Sequence, residues 1–158
     1  MKQLIFILAI SLFSLGAKTE PTFENEYAIH KRLELAIMPS FQEAVVYAVV
    51  MYQGEFYLNK KVFEDSSLNW NSVVSEENIQ ITKGQYKKID GLLDKALEFN
   101  VKDDVRLEDG ISWQLETSRY QWLKIRVSTP EYKTKERGYE GLLTLGKYLQ
   151  ELAPDPNA

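Results

Sequence analysis

The chain has 158 residues, 19 of them Lys or Arg and 23 Asp or Glu, for a formal charge of −4. That length suits one domain. With 44% hydrophobic and 27% charged residues, the composition is that of a folded globular chain, not of a disordered or integral membrane one. The absence of Cys excludes disulfides, a thiol nucleophile, a thiolate zinc site and an iron–sulfur cluster. The acidic balance argues against a dedicated nucleic-acid binder, which needs a basic footprint.

Residues 1–17, MKQLIFILAISLFSLGA, have the layout of a cleavable signal peptide. Lys2 supplies the positive start, an apolar run follows from Leu4 to Leu15, and small Gly16 and Ala17 precede a polar turn. A membrane anchor is the alternative, but a spanning helix needs about 20 apolar residues and this run is shorter. Cleavage is expected after Ala17, with Gly16 as the alternative. A lipoprotein is excluded for want of Cys. Losing Lys2 makes the remaining chain one charge more acidic. The protein is therefore expected in the periplasm, with full secretion as the alternative, and to meet a membrane only during export. Residues 18–26 read as a flexible segment, 27–153 as a single domain and 154–158 as a tail.

Residues 27–37 are ambiguous. Ile29, Leu33 and Ile37 fit a helical stripe, while Leu33, Leu35 and Ile37 fit a strand. Pro39 ends either. Residues 44–52, rich in Val and Tyr, predict a buried strand. Gln53-Gly54 turns the chain, and Glu55 to Phe63 returns as a hairpin partner. Asp65 to Asn71 is a loop of turn formers. Ile79 and Ile81 predict a short strand over 76–82. Thr82-Lys83-Gly84-Gln85 is a capping box, and Tyr86, Ile89, Leu92, Leu93, Ala96 and Leu97 form one apolar face of the helix that follows, over about 82–99. Asp109-Gly110 turns into a half-buried strand in which Ile111, Trp113 and Leu115 alternate with polar residues. Ser118-Arg119 turns, Tyr120 to Val127 returns, and Pro130 stops the strand. A last helix is expected over about 136–153. Gly138, Gly141 and Gly146 weaken it, either because they allow close approach to the sheet or because they are merely tolerated. The expected fold is α+β: an antiparallel sheet built from hairpins with these two main helices packed on it.

The run Asp109-Gly110-Ile111-Ser112-Trp113-Gln114-Leu115-Glu116 is similar to a D-G-x-x-W-x-L-E signature. That signature belongs to a family of small exported bacterial proteins of uncharacterised function. The order of elements resembles the family as well: Phe41 before the Val-rich run, a capped helix before the signature, a return through Tyr120 to Thr129-Pro130, and a Leu-rich last helix. Two departures stand out. Ser128 occupies a position where the family tends to have an aromatic residue, and Asp65 to Asn71 replaces a Gly-rich stretch. The resemblance implies a fold and an exported location but no activity.

Among candidate site residues, Asp109, Trp113 and Glu116 stand first. Two carboxylates beside an aromatic fit sugar binding or an acid–base pair. The structural reading makes Asp109-Gly110 a turn, Trp113 core, and Glu116 the partner of Arg119 or of a cation on a neighbouring strand. Pro130 is assigned a structural role too. Alternation places Trp113 and Glu116 on opposite faces, and Gln114 with Glu116. Trp122, Arg119 and Trp70 are the binding candidates, with Tyr52, Tyr57 and Tyr132 as further aromatic residues. Trp122 is expected to share the face of Tyr120. His30 is the only His and has no nucleophile elbow to serve. Asp103, Asp104, Glu108 and Asp109 do not have the spacing of a calcium loop. No metal site and no cofactor is expected. The pattern points to a non-enzymatic binding module for a protein partner or an envelope component. A carboxylate-dependent glycan hydrolase using Asp109 and Glu116 is the alternative, and a purely structural envelope protein the third reading.

Overall fold

A computed structural model of the chain describes residues 30–98, 110–119 and 122–154. The expected leader 1–17, the segment 18–26, the acidic run 101–108, Asp109, Tyr120 and residues 155–158 lie outside the described residues. The strands are β1 (His30–Pro39), β2 (Ala44–Tyr52), β3 (Glu55–Phe63), β4 (Val73–Ile81), β5 (Ile111–Thr117) and β6 (Leu123–Ser128). They form one antiparallel sheet in the order β4-β3-β2-β1-β5-β6. The helices are α1 (Lys83–Ala96), α2 (Thr134–Arg137) and α3 (Glu140–Leu152). The fold is α+β.

The ambiguous N-terminal segment is a strand because it lies at the centre of the sheet. Leu33, Leu35 and Ile37 bury one face against the helices, while Ala36 and Met38 are buried on the other. Burial on both faces erases the clean alternation that marks a half-exposed strand. β4 starts at Val73, earlier than Ile79 and Ile81 predict, because its residues 74–77 are exposed at the sheet edge and carry no apolar pattern. β6 starts at Leu123, so the alternation expected from Tyr120 onward does not reach Trp122, which sits before the strand at a positive φ of 36°.

The cap of α1 forms as its sequence predicts. The Gln85 amide donates to Thr82 Oγ1 at 3.2 Å, and the Thr82 amide donates to Gln85 Oε1 at 2.7 Å. The helix closes at Leu97, short of the expected end. Tyr86 stacks on Phe56 of β3 with ring centroids 3.8 Å apart, docking α1 on the sheet.

The expected last helix is two helices. Gly138, at φ 74°, caps α2 in the left-handed region that Gly occupies without strain. The other two glycines mark close approaches. A Cβ at Gly146 would overlap the six-membered ring of Trp113, and a Cβ at Gly141 would overlap the Lys95 backbone of α1. Gly146 thus brings α3 down onto the sheet, and Gly141 brings it against α1. The break between α2 and α3 also places Arg137 in the interior. Its guanidinium donates to the carbonyls of Ser128 at 2.8 Å, Thr129 at 2.7 Å and Tyr132 at 2.9 Å. Those bonds hold Thr129 at φ 45° just before buried Pro130. A β-branched residue there is strained by about 1–3 kcal/mol.

Three substitutions test this packing by urea or thermal denaturation. Trp113→Ala loses about 3–5 kcal/mol, as large aromatic truncations in cores do. Gly146→Ala loses about 1–3 kcal/mol, because overpacking against Trp113 outweighs the gain in helix propensity. Gly91→Ala in α1, where a Cβ meets nothing within 4 Å, gains up to about 1 kcal/mol.

Candidate functional site

Both main helices cover the same face of the sheet. Among the described residues, no α-helix lies on the opposite face. At one end it is covered by the loop of residues 64–72, whose Leu68 packs with Val73 against Ala44, Met38 and Phe63. Away from that end, small residues form the floor and long polar side chains stand over it. Register pairing gives two rows across the strands. Asn78, Asn59, Ala48, Glu34, Glu116 and Lys124 form one, and Glu76, Lys61, Val46, Ala36, Gln114 and Arg126 the other.

Glu116 is the centre of the charged part. Glu34 stands directly opposite on β1, an unfavourable pairing of like charges by itself. Lysines offset it. Lys124 Nζ lies 2.8 Å from Glu116 and Lys31 Nζ 4.0 Å, while Lys31 also lies 2.8 Å from Glu34. Gln114 Nε2 donates to Glu116 at 3.1 Å, so Gln114 and Glu116 share a face, with Trp113 buried on the other. Of the two expected partners of Glu116, the neighbouring-strand cation is the one present. On the β3–β4 side, Asn59 Nδ2 donates to Glu76 at 2.6 Å and Asn78 at 2.7 Å, and Lys61 pairs with Glu76 at 3.3 Å.

Two exposed indoles stand at opposite ends of this face. Trp122 is 59% exposed, with Lys31 Nζ 5.4 Å from its ring centre. Trp70 is 65% exposed in a 3-10 turn (Trp70–Ser72), edge-on to Phe63 and with Lys61 Nζ 4.5 Å from its ring centre. Cation–π contacts of this kind contribute about 0.5–1 kcal/mol at exposed sites and orient the ring. Asn69 caps the turn by accepting from the Asn71 amide. Earlier in the same loop, the Ser67 hydroxyl and amide hold the Asp65 carboxyl below the usual carboxylate range.

Arg119 belongs elsewhere. Its guanidinium lies 2.6 Å from Asp90 and 3.2 Å from Asp94, one turn apart on α1, and donates to the Asp90 carbonyl at 3.1 Å. It ties the β5–β6 turn to α1 on the covered side of the sheet. Asp90 and Asp94 are four residues apart on α1, a spacing that matches a guanidinium fork. Gly110, at φ 155° against the Thr129 side chain, opens β5. Its carbonyl accepts from the Ser40 amide at 3.1 Å and hydroxyl at 2.8 Å. His30 is exposed at the start of β1. Among the described residues, no three His, Asp or Glu side chains converge to hold a metal ion, and no helix is long and apolar enough to cross a membrane.

Sequence reading missed Phe41 as a surface feature. It sits in the β1–β2 turn at φ 61° and is 97% exposed. It also missed Lys31 and Glu34, whose significance depends on β1 lying beside β5. The chain matches no family model, no curated protein and no solved structure.

Two stability measurements probe these networks. Arg119→Ala costs about 1 kcal/mol in urea denaturation at low salt, and less at about 1 M salt, because the pairs are partly exposed. Lys31→Met costs about 1 kcal/mol by leaving Glu34 facing Glu116, and Glu34→Gln in the same chain recovers most of it in a double-mutant cycle.

Proposed function

We propose that this protein is a non-enzymatic binding module that contacts a protein partner or an envelope component through the helix-free face of its sheet. One observation carries the reading: two exposed indoles, each steadied by a lysine, flank that face. Trp is among the residue types most enriched at binding hot spots. The face between the rings is polar and internally paired, so it can exchange hydrogen bonds with a partner at little reorganisation cost. Arg126 faces this surface on the edge strand and, among the described residues, has no carboxylate within ion-pair distance. An acidic group on the partner would complete it. The signal-peptide layout and the signature resemblance support an exported address, periplasmic or secreted.

The hydrolase alternative draws less from the site. Its candidate Glu116 is engaged by Lys124 at 2.8 Å and by Gln114 at 3.1 Å. Its second candidate, Asp109, lies outside the described residues.

The test is affinity capture from envelope extract with the tagged wild-type chain and a Trp70→Ser/Trp122→Ser variant, read by mass spectrometry. Both substituted residues are exposed, so the variant stays folded and loses only about 1–2 kcal/mol with its two cation–π contacts; capture is compared below its melting transition. The expected result is a stoichiometric partner that survives moderate salt with the wild type and is lost with the variant. An empty capture, or the same proteins from both chains, overturns the reading.

A further inference from the structure

The covered side of the sheet holds a cavity of about 270 Å³ between α1 and strands β1 and β2. Buried Leu33 and Val49 from the sheet and Ile89 and Leu93 from α1 form its apolar floor, with Tyr86 of α1 beside them. Its rim is polar, with Arg32, Asp90, Ser118 and Arg119. The size lies just under the range of about 300–1,000 Å³ usual for small-molecule sites, which combine apolar surface with a few convergent polar groups.

The rim carries two guanidinium groups in different states. Arg119 is committed to Asp90 and Asp94. Arg32 is exposed and, among the described residues, has no carboxylate within ion-pair distance. Its position is also unusual for a strand. Arg32 and Leu33 are neighbours, yet both line the cavity, which strict alternation forbids. A β-bulge allows it: Lys31 pairs with Val50 and Leu33 with Val49, leaving Arg32 as the extra residue. The bulge leaves Lys31 on the helix-free face with Glu34 and turns Arg32 to the cavity. Three hydrogen bonds pin this backbone. Thr117 Oγ1 donates to the Arg32 carbonyl at 2.9 Å, the Ser118 amide to the same carbonyl at 3.3 Å, and Ser118 Oγ to the Lys31 carbonyl at 2.9 Å.

We infer that this cavity binds a small amphipathic carboxylate, a short-chain acid whose apolar part enters between α1 and the sheet while its carboxylate meets Arg32 at the rim. The charge favours an anion, because Arg32, which the bulge directs there, is the rim cation without a carboxylate partner among the described residues. The planar guanidinium fits a carboxylate through two parallel N–H donors. The volume restricts the apolar part to a short chain. This site is separate from the helix-free face and stands or falls without it.

The test uses octanoate as the probe and 1-octanol as its uncharged counterpart, followed by amide NMR and calorimetry on the full chain. The expected result is saturable shifts at the amides of Leu33, Ile89 and Ser118 with octanoate. Arg32→Gln, an exposed substitution, keeps the wild-type melting temperature and weakens octanoate by about tenfold or more, since a hydrogen bond to a charged group contributes about 1.5–3 kcal/mol. Octanol binds more weakly than octanoate and is indifferent to Arg32→Gln. Absence of saturable shifts at those amides, equal octanoate affinity in Arg32→Gln, or equal affinity of octanol and octanoate for the wild type each overturns the inference.

Discussion

The contact between Trp113 and Gly146 sets the distance between the sheet and α3, and most of the covered side follows from it. The indole fills the space that a side chain on α3 would otherwise take. Once α3 is seated, Gly141 lets it lie against the Lys95 backbone of α1, and Lys88 of α1 reaches over the Tyr148 ring at 3.8 Å. α1 in turn receives Arg119 from the β5–β6 turn. The cavity beneath α1 is therefore bounded by elements whose spacing traces back to one aromatic ring and one missing methyl group. Because protein interiors are packed at crystal-like density, such a spacing is not continuously adjustable.

The two faces of the sheet use the same strands for different ends. Alternation sends Leu33, Leu35 and Ile37 to the helices and Glu34, Ala36 and Met38 to the other side. The helix-free face can remain polar because its charges neutralise one another across β1, β5 and β6, and because Ala36, Val46 and Ala48 leave room for long neighbours to lie down. The bulge at Arg32 is the one place where a residue of β1 is moved from the side that alternation assigns it. It gives Lys31 to the helix-free face and Arg32 to the cavity. A single inserted residue thus supplies a cation to each candidate site.

Much of this was legible along the chain where the physics is local. The hairpin of β2 and β3, the capping box at Thr82, the stripe of α1 and the opposed directions of Trp113 and Glu116 all depend on residues a few positions apart. Other features were not. The Leu stripe of residues 140–152 gave the last helix, but the break at Gly138 depends on Arg137 finding three carbonyls from the preceding loop. Nothing in the order of residues distinguishes Arg137, which is buried, from Arg126, which is not. Arg119 looked like a surface binder because its two aspartates lie on another element. Phe41 looked like the start of a strand, and only the turn geometry exposes it.

From the sequence alone came the class of fold, the β2–β3 and β5–β6 hairpins, the cap and stripe of α1, the apolar stripe of α3, and the exclusion of cysteine chemistry. These rest on short-range sterics, hydrogen bonding and the period of apolar burial, which act between residues close in the chain. The tertiary structure alone decided which charges meet, which indoles face water, and that the adjacent residues Arg32 and Leu33 of β1 line the same cavity. The reason is physical: Lys31 stabilises Glu116, and Asp90 and Asp94 engage Arg119, only after β1, β5 and α1 are brought together. That assembly is governed by the summed packing of the whole core and not by any local pattern.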